Sequence, residues 1–295
     1  MFKQVIIWGH KLHSHTHSYI HYGFHKAFNH LGYKCLWLDN SDDISNINFS
    51  NSLFITEGQV DNNIPIRNDS IYLLHNCNTT KYSSINNVFN IQVITKTELN
   101  RYSYNTLSNE YGFYLNDQLL LCWATDLLPD EINKNINLVK NDNIVSSKNL
   151  NFVGMPIYPW DEVKKWCENN GYNYTNCGGF DKNVSCEENM KLIQESILAP
   201  AFQEKWQVNN GYIPCRIFKN ISYGKIGITN NHFVNELFNN KLIYGENIYE
   251  TLNLALLHNN KDKLISLMEE VRDKHTYINR VNLILLFLKS QLKTM

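Results

Sequence analysis

KQVIIWGHKLHSHTHSYIHYGFHKAFNHLGYKCLWLD, residues 3–39, is the stretch that decides the fold class. Its opening, residues 3–9, is a brief β-branched apolar run of the kind a buried strand needs. A polar stretch follows over residues 10–18. Ile20, Phe24, Ala27, Phe28 and Leu31 then recur at helical spacing over residues 19–31, and Gly32 stops the helix. Residues 34–38 (KCLWL) make a second strand that ends on Asp39. Strand, helix and strand within forty residues form a βαβ unit, which requires a parallel pair joined by a right-handed crossover.

Outward from that unit, residues 52–56, 71–74, 88–95 and 118–124 are further short apolar runs at α/β spacing. Three of these runs lead into polar residues that an active site can use: Glu57, His75 and Asp126. Residues 131–149 are polar, rich in Asn and Lys and only weakly periodic, so the domain boundary is expected there. A second series follows: a strand at 151–153, a helix at 161–169 led by Pro159, and a helix at 189–196 running into Ile197-Leu198-Ala199-Pro200. Then come a helix at 214–223 ended by Gly224, a strand at 225–229, and helical stretches at 246–258 and 261–293 broken near Lys274. The expected architecture is α/β with two Rossmann-like domains, residues 1–145 and 146–273. Residues 274–295 are expected to form a helix returning to the first domain.

A chain of 295 residues suits two ordinary domains, and a 43% hydrophobic fraction is enough to fill their cores. Lys and Arg number 27 against 28 Asp and Glu, so no net positive field favours the phosphate backbone, and nucleic acid is not expected as a partner. No apolar run approaches the roughly 20 residues of a membrane span, and residues 5–8 are too short for a signal-peptide core. The expectation is a cytoplasmic protein without a transmembrane segment. Seven widely spaced cysteines with no C-x-x-C pair read as reduced thiols rather than a disulfide framework or a cysteine-built zinc site. The 44 asparagines create N-x-S/T triplets such as Asn78-Thr79-Thr80 by abundance alone, so no glycosylation is inferred from them.

The most informative carboxyl-terminal segment is GYIPCRIFKNISYGKIGITNN, residues 211–231. Pro214 suits a helix start, where its missing N–H would be unpaired anyway. Arg216 then falls in the first turn, beside the unpaired N–H groups of the helix start. Such a site suits an anionic diphosphate, although an ordinary αβ unit with a solvated arginine has the same spacing. The segment also resembles the donor-site helix of two-domain glycosyltransferases of the GT-B fold, the group 1 and CgeB-like superfamily. Arg216-Ile217-Phe218 and Gly224-Lys225 match their P-x-K/R-x-F-E and glycine–strand pattern, and Ser196 to Pro200 resembles their donor-facing strand and loop.

The resemblance implies transfer of a sugar from a nucleotide-diphosphate donor, UDP- or GDP-linked, to a hydroxyl of a glycan or other acceptor. It implies no metal and no cofactor beyond the donor, which is a co-substrate. Carried onto this chain, the donor-binding residues are Ser196, Tyr212, Ile213, Pro214, Cys215, Arg216, Lys219 and Asn220. One departure is plain. Lys219 stands where retaining members of the family carry the glutamate that binds the donor ribose, so the stereochemical outcome is open. Lys219 reads equally as a phosphate contact or as part of a solvated helix face.

Seven of the eleven histidines lie between positions 10 and 30. His10, His13, His15 and His17 occupy the loop after the first strand, at the sheet edge where open α/β folds bind ligands. A loop imidazole can serve as general base on an acceptor hydroxyl. The candidates for that task are His15, His17 and Asp39. A carboxylate at a strand end, Glu57 among them, can also hold a histidine in the required tautomer. The alternative is a metal-dependent hydrolase, because LHSHTHS (residues 12–18) resembles the first motif of PHP-type metallohydrolases and amidohydrolases. His13, His15 and His17 would be its ligands. After residue 30 only His75, His232, His258 and His275 remain to complete such a set.

Overall fold

The computed structural model describes residues 2–11, 16–75, 77, 79–93, 112–115, 118–142, 147–154, 159–178, 184–258 and 260–292. Strands β1 (Gln4–Trp8), β2 (Cys35–Leu38), β3 (Ser52–Glu57), β4 (Ile71–His75), β5 (Val88–Val93), β6 (Gly112–Leu115) and β7 (Gln118–Leu121) form one sheet in the order β2-β1-β3-β4-β5-β7-β6. Six strands are parallel, and β6 is an antiparallel edge strand on β7. β1, β3 and β4 are buried along their whole length, as parallel strands covered on both faces must be. Helix α1 (Thr16–His30) starts inside the stretch read as loop and supplies the β1–β2 crossover. Since β2 and β3 flank β1 on opposite sides, the strand order reverses between β1 and β3. Open α/β sheets bind ligands at the carboxyl ends of the strands that border such a point.

Residues 131–140, read as part of a polar boundary, lie in helix α2 (Pro129–Lys140). Ile132, Ile136 and Val139 make a narrow apolar stripe buried in the second core, and the surrounding Asn and Lys residues conceal it in the composition. The second half follows with β8 (Asn149–Phe152), α3 (Trp160–Asn169), β9 (Asn173–Asn176), α4 (Cys186–Glu195), α5 (Lys205–Asn209) and α6 (Cys215–Ser222). After these come β10 (Ile228–Thr229), α7 (His232–Leu237), β11 (Ile243–Tyr244), α8 (Ile248–Leu257), α9 (Lys261–Lys274) and α10 (Tyr277–Gln291). The pairs β8–β9 and β10–β11 are both parallel. Residues 197–201 join them: Ile197 N–H donates to Asn149 (2.7 Å), and Ala201 N–H donates to the Ile228 carbonyl (2.9 Å). Among the described residues no helix is long and apolar enough to cross a membrane.

α10 packs against α1 beside the first sheet, where Tyr277 meets Phe24 and Phe287 meets Phe89 edge-on. Gly23 makes the α1–α10 approach possible, because a Cβ there would lie 2.2 Å from the Tyr277 ring. The break between α9 and α10 sits beside the segment that follows β7. Thr125 bridges to Thr276, and the fully buried Arg280 donates to the carbonyls of Cys122, Trp123 and Lys274 at 2.8–2.9 Å.

His275 lies in the same knot against Phe218 and Phe238. Burial, reinforced by Arg280 and Lys274, holds its pKa well below 6.5. The unfolded chain therefore binds one more proton below about pH 6.5, and stability falls as pH falls. This group contributes at most about 1.4 kcal/mol per pH unit. Thermal melts of His275→Asn between pH 6.5 and 5 should have a shallower pH slope than wild type; an unchanged slope contradicts this.

Candidate functional site

Four imidazoles and a carboxylate meet at the carboxyl edge of the first sheet. β1 is followed by Gly9 and His10, both at positive φ (+91° and +62°). Gly9 is required there, since a Cβ would fall 2.1 Å from Val60 Cγ2. The strained turn directs the buried His10 onto Glu57 at the end of β3, with Nε2 to Oε2 at 3.0 Å. Glu57 also accepts from the Gln59 N–H at 2.9 Å. Burial acts to raise the Glu57 carboxyl, but the hydrogen bonds from His10 and Gln59 outweigh it and hold the pKa below the usual value.

His17, in the first turn of α1, stacks on His10 with centroids 5.1 Å apart and lies 5.3 Å from the His75 ring at the end of β4. One turn on, His21 donates from Nδ1 to the Gly9 carbonyl at 2.8 Å. A carbonyl can only accept, so the proton of neutral His21 is fixed on Nδ1. Burial lowers the pKa of His17, takes His75 to about 4 and takes His21 to about 3. These three imidazoles are therefore neutral near pH 7. His25, one turn beyond His21 on α1, packs against Trp37 and is half-buried.

A second group lies at the ends of β8 and β9 and at the start of α6. Pro214 is the N-cap and no side chain caps the helix, which leaves first-turn N–H groups available to a ligand. The Arg216 guanidinium stacks over Phe152 (4.5 Å) and lies 5.5 Å from Trp160, and its Nη2 donates to the Val153 carbonyl at 3.4 Å. Burial lowers its pKa. The groups that act against this are Cys215, Tyr212 and Tyr174, and none of them is a carboxylate. Gly154 and Gly178 let the backbone close around it: a Cβ on Gly154 would lie 2.5 Å from Arg216 Nη2, and one on Gly178 would lie 2.2 Å from Gly154 N. A glycine close behind each of two short strands was the sequence signal for this cradle.

The two groups are linked. The Tyr212 hydroxyl lies beside the Trp123 side chain, and Trp123 stands edge-on to His75 at 4.9 Å. Cys215 is buried in the first-half core, and Lys219 Nζ lies 3.3 Å from the centroid of the Tyr19 ring on α1.

Several expected site residues have other tasks. Lys219 is buried against Tyr19 and not on a solvated face. Ser196 is fully buried, with its hydroxyl accepting from Asn151 N–H and donating to the Leu192 carbonyl. The Asn220 amide is likewise used inside the core, on the Ala199 carbonyl at 2.8 Å. Ile213 is core. The Asp39 carboxylate accepts from the backbone N–H groups of Lys11 (2.9 Å) and Asn40 (2.8 Å), which makes it an anchor for the loop entering α1. His13 and His15 lie outside the described residues. His17, Tyr212, Pro214, Cys215 and Arg216 remain in or beside the two groups, joined by His10, Glu57, His75 and Trp123. Comparison with known families and with curated proteins gives no match: no family model and no curated sequence matches the chain.

Proposed function

We propose that the chain is a glycosyltransferase of the GT-B type, moving a sugar from a nucleotide-diphosphate donor to an acceptor hydroxyl. The observation that carries the reading is Arg216: a guanidinium with no carboxylate in reach among the described residues, held on two aromatic faces in the first turn of an uncapped helix. That arrangement suits a diphosphate, whose oxygens accept from both the fork of the guanidinium and the helix N–H groups. As the glycosidic bond breaks, the sugar takes on oxocarbenium character and the leaving diphosphate gains charge, which Arg216 stabilises where it develops. The imidazole group across the Tyr212–Trp123 link receives the acceptor. His17 is half-buried and neutral, and it can take the hydroxyl proton. UDP and GDP are the donor nucleotides this reading favours, with a glycan or other hydroxyl compound as acceptor.

A thermal-shift screen with UDP, GDP, dTDP and CMP tests the binding half. A ligand at 100 times its Kd stabilises the native state by about 2.7 kcal/mol, so one nucleoside diphosphate should raise the melting temperature clearly. If all four leave it unmoved at millimolar concentration, the reading fails.

A further inference from the structure

We propose that His10, His17 and Glu57 form a binding site for a divalent transition-metal ion, zinc by the chemistry of its donors. The three side chains offer ligand atoms that all lie within 4.8 Å of one another. They come from three different places, the turn after β1, the first turn of α1 and the end of β3, so the framework places them before any ion arrives. Two imidazoles with one carboxylate select zinc-like ions over magnesium or calcium, which prefer oxygen donors throughout. Tetrahedral ligands about 2.1 Å from zinc sit roughly 3.4 Å apart. His10 and Glu57 already approach to 3.0 Å, so closure of the set rests mainly on His17, whose ligand atom lies within 4.8 Å of both.

The supporting contacts are those a metal site needs. Glu57 is held by the Gln59 N–H, and the Gly9–His10 turn is held by His21 Nδ1 on the Gly9 carbonyl. His75 borders the group beyond His17. His10 and Glu57 are outside the ligand set that the histidine-rich motif suggests. They meet only because β1 and β3 are neighbours in the sheet.

The site is separate from the Arg216 group, which none of its ligands touches, but it competes with the base role proposed for His17, because an imidazole that holds a metal ion on one nitrogen and a proton on the other has no lone pair left to accept a proton. The test is titration of the untagged, chelator-stripped full chain with Co2+ and Zn2+. Expected is one equivalent of Co2+ giving visible d–d bands, displaced by Zn2+. His17→Ala should weaken binding on the order of 100-fold and Glu57→Gln at least about 10-fold, while His25→Ala and Arg216→Ala leave it unchanged. Zinc-edge absorption of the loaded wild type should give two imidazoles and oxygen with no sulfur, a result that needs no variant to fold. Absence of stoichiometric binding, binding indifferent to His17→Ala, or a sulfur shell from a cysteine such as Cys77 would each overturn the assignment. Loss of nucleotide binding in Arg216→Ala with metal binding intact would separate the two sites.

Discussion

Arg216→Ala is expected to lower sugar transfer by about 100- to 1,000-fold, the size of effect seen when one preorganised donor to a developing oxyanion is removed. Nucleoside-diphosphate binding should fall with it, since a charge-assisted fork is lost. Stability should change little. The substitution removes packing over Phe152 and Trp160, but it also removes a partly desolvated charge that has no carboxylate to offset it. A residue kept only for the fold would behave in the opposite way, with a lower melting temperature and unaltered nucleotide binding. Arg216→Lys should fall between wild type and alanine, because an ammonium keeps the charge and loses the planar fork.

The largest effect on stability is expected at Arg280. Its side chain is fully buried and is the hydrogen-bond donor to three carbonyls where the segment after β7 meets the α9–α10 break. Arg280→Met keeps much of the volume but leaves the Cys122, Trp123 and Lys274 carbonyls short of a donor in a place water does not reach. The cost is about 3–5 kcal/mol, which for a chain of this size lowers the melting temperature by on the order of 10 °C. Calorimetry of the variant at neutral pH measures it. A change within about 0.5 kcal/mol, typical of an unremarkable surface site, would mean that the knot does not hold the two halves together.

Much of the first sheet was legible in residues 3–95 because its strands are brief apolar runs, three of them buried along their whole length, so each stands out against polar loops. The pairing of those strands was not legible. Glu57 reads as a strand-end acid able to hold a histidine, and His10 as one of four loop histidines. That these two in particular meet follows from the β1–β3 register, in which Trp8 pairs with Thr56. Helix α2 was hidden for a different reason: its buried face is only one or two residues wide and its exposed face carries the local Asn and Lys bias. Arg216 was placed correctly at a helix start by Pro214 and Gly224. Its aromatic cradle comes from Phe152 and Trp160, more than fifty residues upstream, and no local pattern points to them. Lys219 and Ser196 show the same limit, since position within an element does not say what lies opposite.

The most direct test of the transferase reading is release of nucleoside diphosphate from a panel of UDP- and GDP-sugars, with and without hydroxyl acceptors, by wild type and Arg216→Ala. The account predicts release from one donor class, accelerated by an acceptor and reduced at least about 100-fold in the variant. No release from any donor, or release that Arg216→Ala leaves unaltered, would contradict it.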